Sequence, residues 1–191
     1  ILEPLIKQAS KAGIEIRIDS PAQLADQLSA GKLDIAMIPA VEYLRQADRL
    51  RLLPNISISS RNKVGTVLLV SQVPLNAIRT LALDERSRTS VALLRVLYAK
   101  EFPSGLKLAR HEPDLDKMLN QYDAALIIGD QALGVAKEGV SIYDLSEEWF
   151  SRTEKTFVHA VIVAREGVKV EAGIIQTLQN AKLEGLKNLE T

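Results

Sequence analysis

Short apolar runs alternate with helix-patterned segments along almost the whole chain. LDIAMI (33–38), VGTVLLV (64–70), AALII (124–128) and FVHAVIVA (157–164) are the clearest runs. Each is too short for a buried helix, and VGTVLLV is so nearly uniform that it reads as a strand covered on both faces. Strands of this kind separated by helical patterns are the signature of parallel α/β organisation. The expected elements follow in order. A helix over 5–12 closes at Gly13, and IEIRI (14–18) alternates as a strand. Ser20, Pro21 and Gln23 mark a helix start with a capping box, which Gly31 ends. Strand 33–38, helix 41–47 and strands 56–60 and 64–71 come next. Strand 79–83, helix 89–100, strand 106–110, helix 115–121 and strand 124–128 then repeat the pattern. A short helix over 131–137, a helix within 143–149 capped by Asp144, strand 157–164 and a helix over about 170–189 complete it.

Neither a repeat nor a low-complexity tract interrupts this order. The strands near Ser71 and Thr156 suit crossings between two lobes, giving residues 1–71 with 157–191 as the first lobe and 72–156 as the second. A chain of 191 residues has room for one good core or two small lobes.

Composition excludes several classes of partner. Twenty-four basic residues balance 24 acidic ones, so no net field favours nucleic acid or an anionic membrane surface. The hydrophobic share of 47% and charged share of 25% are those of a folded globular chain. No apolar run reaches the length that spans a membrane. Cysteine is absent, which removes disulfides and thiolate metal sites, and the two histidines lack metal-ligand spacing. Neither a metal nor a cofactor is called for. The chain opens at Ile1 without a methionine or a signal-like segment, as expected of a processed protein or a fragment.

With no net positive charge, an anionic ligand must be held locally. Residues 83–95, LDERSRTSVALLR, put Ser87, Arg88, Thr89 and Ser90 between an apolar run and a helix pattern. A helix start offers backbone N–H groups and partial positive charge, and Thr89 and Ser90 add hydroxyl donors, so a carboxylate fits there. Ser87 or Thr89 can equally be a simple helix cap. Arg88 can meet a carboxylate or water. Gly129, after AALII, permits either a turn or a close ligand approach, with Asp130 as the cap of the helix that follows. Gly65 and Thr66 open the strand VGTVLLV as a bulge or a binding edge. His159, inside an apolar strand, fits either a hydrogen-bonded core position or a base that requires a partner. Tyr143 and Trp149 are expected to pack the second lobe.

Taken together, SRTSVALLR, DAALIIGDQAL and YDLSEEW, preceded by LDIAMIPAVEY and KVGTVLLVS, resemble the futalosine-pathway menaquinone-biosynthesis family, in its chorismate dehydratase branch. The likeness runs from about residue 5 to residue 164, in order and spacing. It implies a two-lobed, type II periplasmic-binding-protein-like α/β fold with a ligand cleft between the lobes. It also implies a cytoplasmic hydro-lyase that removes water from chorismate to give 3-[(1-carboxyvinyl)oxy]benzoate, without a cofactor. The partner is then a small dicarboxylate, with no nucleic acid and no membrane, and the oligomeric state is left open.

Carried over position by position, Gly65 and Thr66 match a cleft-lining Gly-Ser pair, and Thr89, Ser90 and Val91 match a carboxylate-binding helix start. Ile128 and Gly129 match a cleft-facing strand end. The family's reaction-serving Asn precedes a Pro-Leu pair, and only Pro4 and Leu5 of that region stand in this chain, so the catalytic residue is unassigned and Thr66 is the one weak candidate. Thr66 replaces the commoner Ser and keeps a hydroxyl. RTEKTF (152–157) replaces a segment that usually reads Thr-Gly-Leu-Pro-Phe, and His159 stands where an aromatic is usual. A non-catalytic solute-binding protein for a small carboxylate, periplasmic in location, is the alternative on the same fold, because function belongs to the site.

Overall fold

A computed structural model describes residues 2–9, 13–84, 86–136 and 138–187 of the chain. It divides into two compact units, Ile1–Ile58 with Ala160–Thr191, and Ser59–His159. The boundary expected after Ser71 therefore lies earlier. The strand that ends there is hydrogen-bonded on both sides to strands of the second unit and belongs to it. The second boundary falls three residues beyond Thr156, within a strand.

In the first unit, β1 (Ile35–Pro39), β8 (Phe157–Arg165) and β2 (Leu50–Ser60) form a sheet with β8 central. The long apolar run of β8 has its reason here. Val161 and Val163 face Leu28 and Ile38, on the side of α2 (Pro21–Ser29). Ile162 and Ala164 face Leu53, Ile56 and Leu178, on the side of α7 (Ala172–Lys187). Both faces are covered, so the period-2 alternation of polarity disappears. Ser20 caps α2 as its sequence predicts, its hydroxyl accepting the Gln23 N–H at 3.3 Å. β2 runs six residues further back than expected, through Pro54. As the outer strand of this sheet, it can carry a residue that donates no ladder hydrogen bond.

Three expectations fail in informative ways. Residues 14–18 alternate like a strand but pair with nothing among the described residues, and alternation without a neighbouring ladder does not make a strand. The strand pairing is not uniformly parallel: β1 and β8 pair antiparallel, and the second sheet holds both parallel and antiparallel pairs. The helix expected over 131–137 is only a 3-10 turn, Gly129–Ala132, because Gly134 follows within a turn and so short a nucleus gains too few hydrogen bonds to propagate. Its last residue, like 10–12 of the first expected helix and 188–189 of the last, lies outside the described residues. The first helix, α1, spans Leu2–Ala9 and packs with α7.

The second unit holds a five-stranded sheet in the order β5 (Lys107–His111), β4 (Thr80–Asp84), β6 (Ala124–Ile128), β3 (Val67–Ser71), β7 (Ser141–Asp144). β4 is parallel to β5 and β6, whereas β3 is antiparallel to β6 and β7. One face packs on Leu93, Leu94 and Leu97 of α4 (Arg88–Leu97) and Leu145 of α6 (Leu145–Thr153). The other packs on Met118 and Leu119 of α5 (Leu115–Gln121). Tyr143 and Trp149 join the first of these cores, as expected. Glu154 ends α6 in the left-handed conformation (φ 58°), at the position where the resembling family usually has glycine.

The chain leaves β4 for β5 on one side and then crosses to β6 on the other. In open α/β sheets the space outside the strand ends at such a reversal is where ligands bind. The register sets Val67 opposite Ile128 and Leu68 opposite Asp144, so the start of β3 and the ends of β4, β6 and β7 share one edge.

Candidate functional site

That edge gathers, within the second unit, every residue singled out as a binding candidate. α4 begins directly after β4, and Ser87 occupies its N-cap position without a side-chain capping hydrogen bond. The Ser87 hydroxyl is instead buried with no partner. Thr89 does not cap either: its hydroxyl donates to the His159 carbonyl at 3.0 Å. Ser90 is 5% exposed, and its side chain makes no hydrogen bond to a described residue. The Val91 N–H is used on the Ser87 carbonyl at 3.2 Å, so this residue offers a ligand only its side chain.

The other candidates are tied to one another. The Gly129 N–H donates to the Thr66 carbonyl at 2.8 Å, which joins the two loops across the β3–β6 pair. Gly129 and Gly65 both take φ +69°, and open space surrounds the position a Cβ would fill at each. The requirement for glycine here is one of backbone conformation and not of crowding. Asp130 is not a cap, since the 3-10 turn begins after Ile128 and has no side-chain cap. The Thr66 hydroxyl makes no hydrogen bond to a described residue.

Three further groups hold this edge together, and sequence reading did not find them in these roles. Asp84, fully buried at the end of β4, receives Arg86 through two guanidinium hydrogen bonds of 2.9 and 2.7 Å and through its backbone N–H at 3.0 Å. A third bond from the same guanidinium, 3.4 Å long, reaches the Ile128 carbonyl. Arg86 thus bridges the α4 start to the end of β6. Asp144, recognised only as the cap of α6, accepts four backbone N–H groups. Oδ1 takes Ser146 at 3.0 Å and Glu147 at 3.2 Å, and Oδ2 takes Val64 at 2.9 Å and Gly65 at 2.6 Å. Its carboxylate therefore sets the approach to Thr66.

The third group is a cluster at His159. The Ser60 hydroxyl lies 2.6 Å from His159 Nε2 and 2.8 Å from Ser146 Oγ, which is itself 3.4 Å from Nε2. The Phe157 ring meets the imidazole edge-on at 4.9 Å, and Trp149 meets Phe157 at 5.4 Å. Burial pushes the imidazole below its usual pKa, and the negative charge of Asp144 works against that only in part. Ser60 and Ser146 are 86 residues apart, so no local pattern announces the cluster. Among the described residues no group of His, Asp and Glu has the makings of a metal site.

The direction of that shift makes a prediction. A folded-state imidazole with a lowered pKa is stabilising above the unfolded-state value of about 6.5, and the advantage is lost as pH falls, because the unfolded chain binds the proton first. Urea midpoints are expected to fall between pH 7 and pH 5 in the parent, and to fall less in His159→Gln. Equal slopes in the two proteins would contradict a buried neutral imidazole.

A protein-family model described as menaquinone biosynthesis matches residues 1–191. Chorismate dehydratase of Thermus thermophilus is 33% identical over 186 residues, an alignment that covers 88% of this chain and 68% of that protein. Among solved structures, a protein of Archaeoglobus fulgidus aligns with a TM-score of 0.68 at 18% identity, over 98% of this chain and 75% of that one. A periplasmic substrate-binding protein of an ABC transporter from Coxiella burnetii aligns with a TM-score of 0.52 at 15% identity, over 95% and 86%. At such identities the two structures speak for the fold alone, the α/β type of periplasmic binding proteins. No helix among the described residues is long and apolar enough to cross a membrane. The full-length family match and the one-third identity to a curated relative agree with the order of motifs along the sequence: the chain belongs to the menaquinone-biosynthesis family.

Proposed function

We propose that this protein is a lyase that dehydrates chorismate to 3-[(1-carboxyvinyl)oxy]benzoate on the futalosine route to menaquinone. The observation that carries the reading is the α4 start. It stands at the strand-order reversal with Ser90 buried beside it and making no side-chain hydrogen bond to a described residue, and the Arg86 guanidinium ties it to Ile128. The positive end of the helix together with a hydroxyl donor suits one carboxylate of a dicarboxylate ligand. Thr89, Ser90 and Val91 form that subsite, while Gly65, Thr66, Ile128 and Gly129 line the approach opposite. The name of the Thermus relative supports the same substrate. Loss of the ring hydroxyl with a ring proton makes an aromatic product, so much of the driving force belongs to the substrate. Positioning then carries a large share of the catalysis.

The test is ultraviolet detection of the aromatic product from chorismate with the complete protein, alongside calorimetric binding. Ser90→Ala is expected to weaken chorismate binding by about 1.5–3 kcal/mol, the range for a hydrogen bond to a charged group. Unchanged affinity in a folded variant would remove Ser90 from the subsite. Tight binding by the parent without product would replace the lyase with a non-catalytic binder of small carboxylates.

A further inference from the structure

The second unit carries a cavity of about 320 Å³ with an aliphatic floor: Leu68 of β3, Ala132 and Val135 at and just after the 3-10 turn, and Ile142 of β7. Leu68, Ala132 and Val135 belong to the core on the α5 side of the sheet, whereas α4 packs on the other side. The sheet itself therefore separates this cavity from the carboxylate subsite at the α4 start. Ile142, on the outer strand of the sheet, is left 42% exposed.

Two charges of opposite sign stand at the rim. Lys63 follows Asn62, whose left-handed conformation (φ 65°) turns the chain toward β3, and Glu147 lies in the first turn of α6. Both line the same cavity, yet neither the Lys63 ammonium nor the Glu147 carboxylate makes a hydrogen bond or ion pair with a described residue. Asp144 also borders the cavity, but each of its oxygens already holds two backbone N–H groups, which uses its acceptor capacity.

An aliphatic floor below one cation and one anion selects a ligand with the complementary pattern. A simple carboxylate meets Lys63 and is repelled by Glu147; a simple amine meets Glu147 and is repelled by Lys63. An α-amino acid satisfies both, carboxylate to Lys63 and ammonium to Glu147, while an apolar side chain covers Leu68, Val135 and Ile142. The volume sits at the small end of the range for ligand cavities, about 300–1,000 Å³, which suits a molecule of that size. We propose that this cavity is a second ligand site, for an α-amino acid with an apolar side chain, separate from the carboxylate subsite. The assignment does not rest on the chorismate reading above.

The experiment titrates the complete protein with L-leucine and L-phenylalanine, by calorimetry and by 1H–15N NMR. Saturable binding is expected below about 10 mM, with shifts centred on Leu68, Ala132, Val135 and Ile142. Lys63→Gln and Glu147→Gln, both at exposed positions that leave the core untouched, are each expected to weaken L-leucine about 5–10-fold. 4-Methylpentanoate, which is leucine without its amine, and isopentylamine, which is leucine without its carboxylate, are expected to bind at least about tenfold more weakly than L-leucine. L-Leucine affinity that is unchanged by excess chorismate supports two separate sites, and displacement by chorismate overturns that separation. Equal binding of 4-methylpentanoate, or unchanged affinity in both glutamine variants, overturns the amino-acid assignment. Absence of binding by L-leucine and L-phenylalanine, or shifts that leave the four floor residues unmoved, overturns the site. None of these failures touches the dehydratase reading, which the chorismate product assay decides.

Discussion

Replacing Asp144 with Ala is expected to destabilise the second unit by about 3–5 kcal/mol, the largest effect of any single change at this site. Asp144 is 5% exposed, and its carboxylate accepts four backbone N–H groups from two separate segments. Losing a helix cap costs about 0.5–2 kcal/mol, and each buried donor left without an acceptor adds about 1–3, partly relieved by water that enters beside Gly65. Asn is a revealing second variant. Its amide keeps one acceptor oxygen, which can serve either the α6 start or the 64–65 segment, and it turns an NH2 group toward the other pair of donors. Asp144→Asn is therefore expected to lose about 2–3 kcal/mol, far more than an isosteric change at an ordinary cap. Urea unfolding measures both. A loss below about 1 kcal/mol in Asp144→Ala would mean that the four hydrogen bonds are readily replaced by water.

Arg86→Met is the second large expectation. It removes two guanidinium hydrogen bonds from Asp84, whose side chain has no exposure, and leaves only the Arg86 N–H on that carboxylate. Stripping one partner from a fully buried ion pair costs about 3–5 kcal/mol. The Arg86 side chain is 41% exposed, so water replaces part of what is lost, and about 2–3 kcal/mol is the expected deficit. Chorismate binding should weaken as well, because the contact between Arg86 and the Ile128 carbonyl disappears from the edge that lines the proposed ligand. The check is a double-mutant cycle with Asp84→Ala, read in urea. A coupling energy under about 0.5 kcal/mol would show that the two side chains act independently.

Much of this fold is legible in the sequence because its strands are short, apolar and covered on both faces. β6 and α5 fall at the residues their patterns predict, and β4, β5, β8 and α4 fall within a few residues of them. Failures occur where the outcome depends on a neighbour. IEIRI alternates without a ladder to join, β2 extends through Pro54 because it is an outer strand, and strand direction depends on partners that no local pattern records.

The site divides in the same manner. Gly65, Gly129 and the hydroxyl-rich start of α4 are visible as local chemistry: a glycine reports a backbone conformation, and a helix start follows from hydrophobic periodicity. Arg86 was not singled out, although it lies in the same junction as Arg88, because its reach to Ile128 depends on how β4 and β6 pair. Asp144 could be recognised as a cap from its position before α6. That its second oxygen also holds Val64 and Gly65, some 80 residues away, follows only from the antiparallel pairing of β3 with β7. His159 and Ser60 stand 99 residues apart and meet on the two strands that link the units. The sequence by itself determined the element types, the covered strands and the anion-suited helix start, since these follow from short-range periodicity and backbone preference. Only the tertiary structure decided which buried charge, hydroxyl and imidazole face one another, because a polar group taken out of water bonds whatever partner the fold brings within about 3 Å, however distant in the chain.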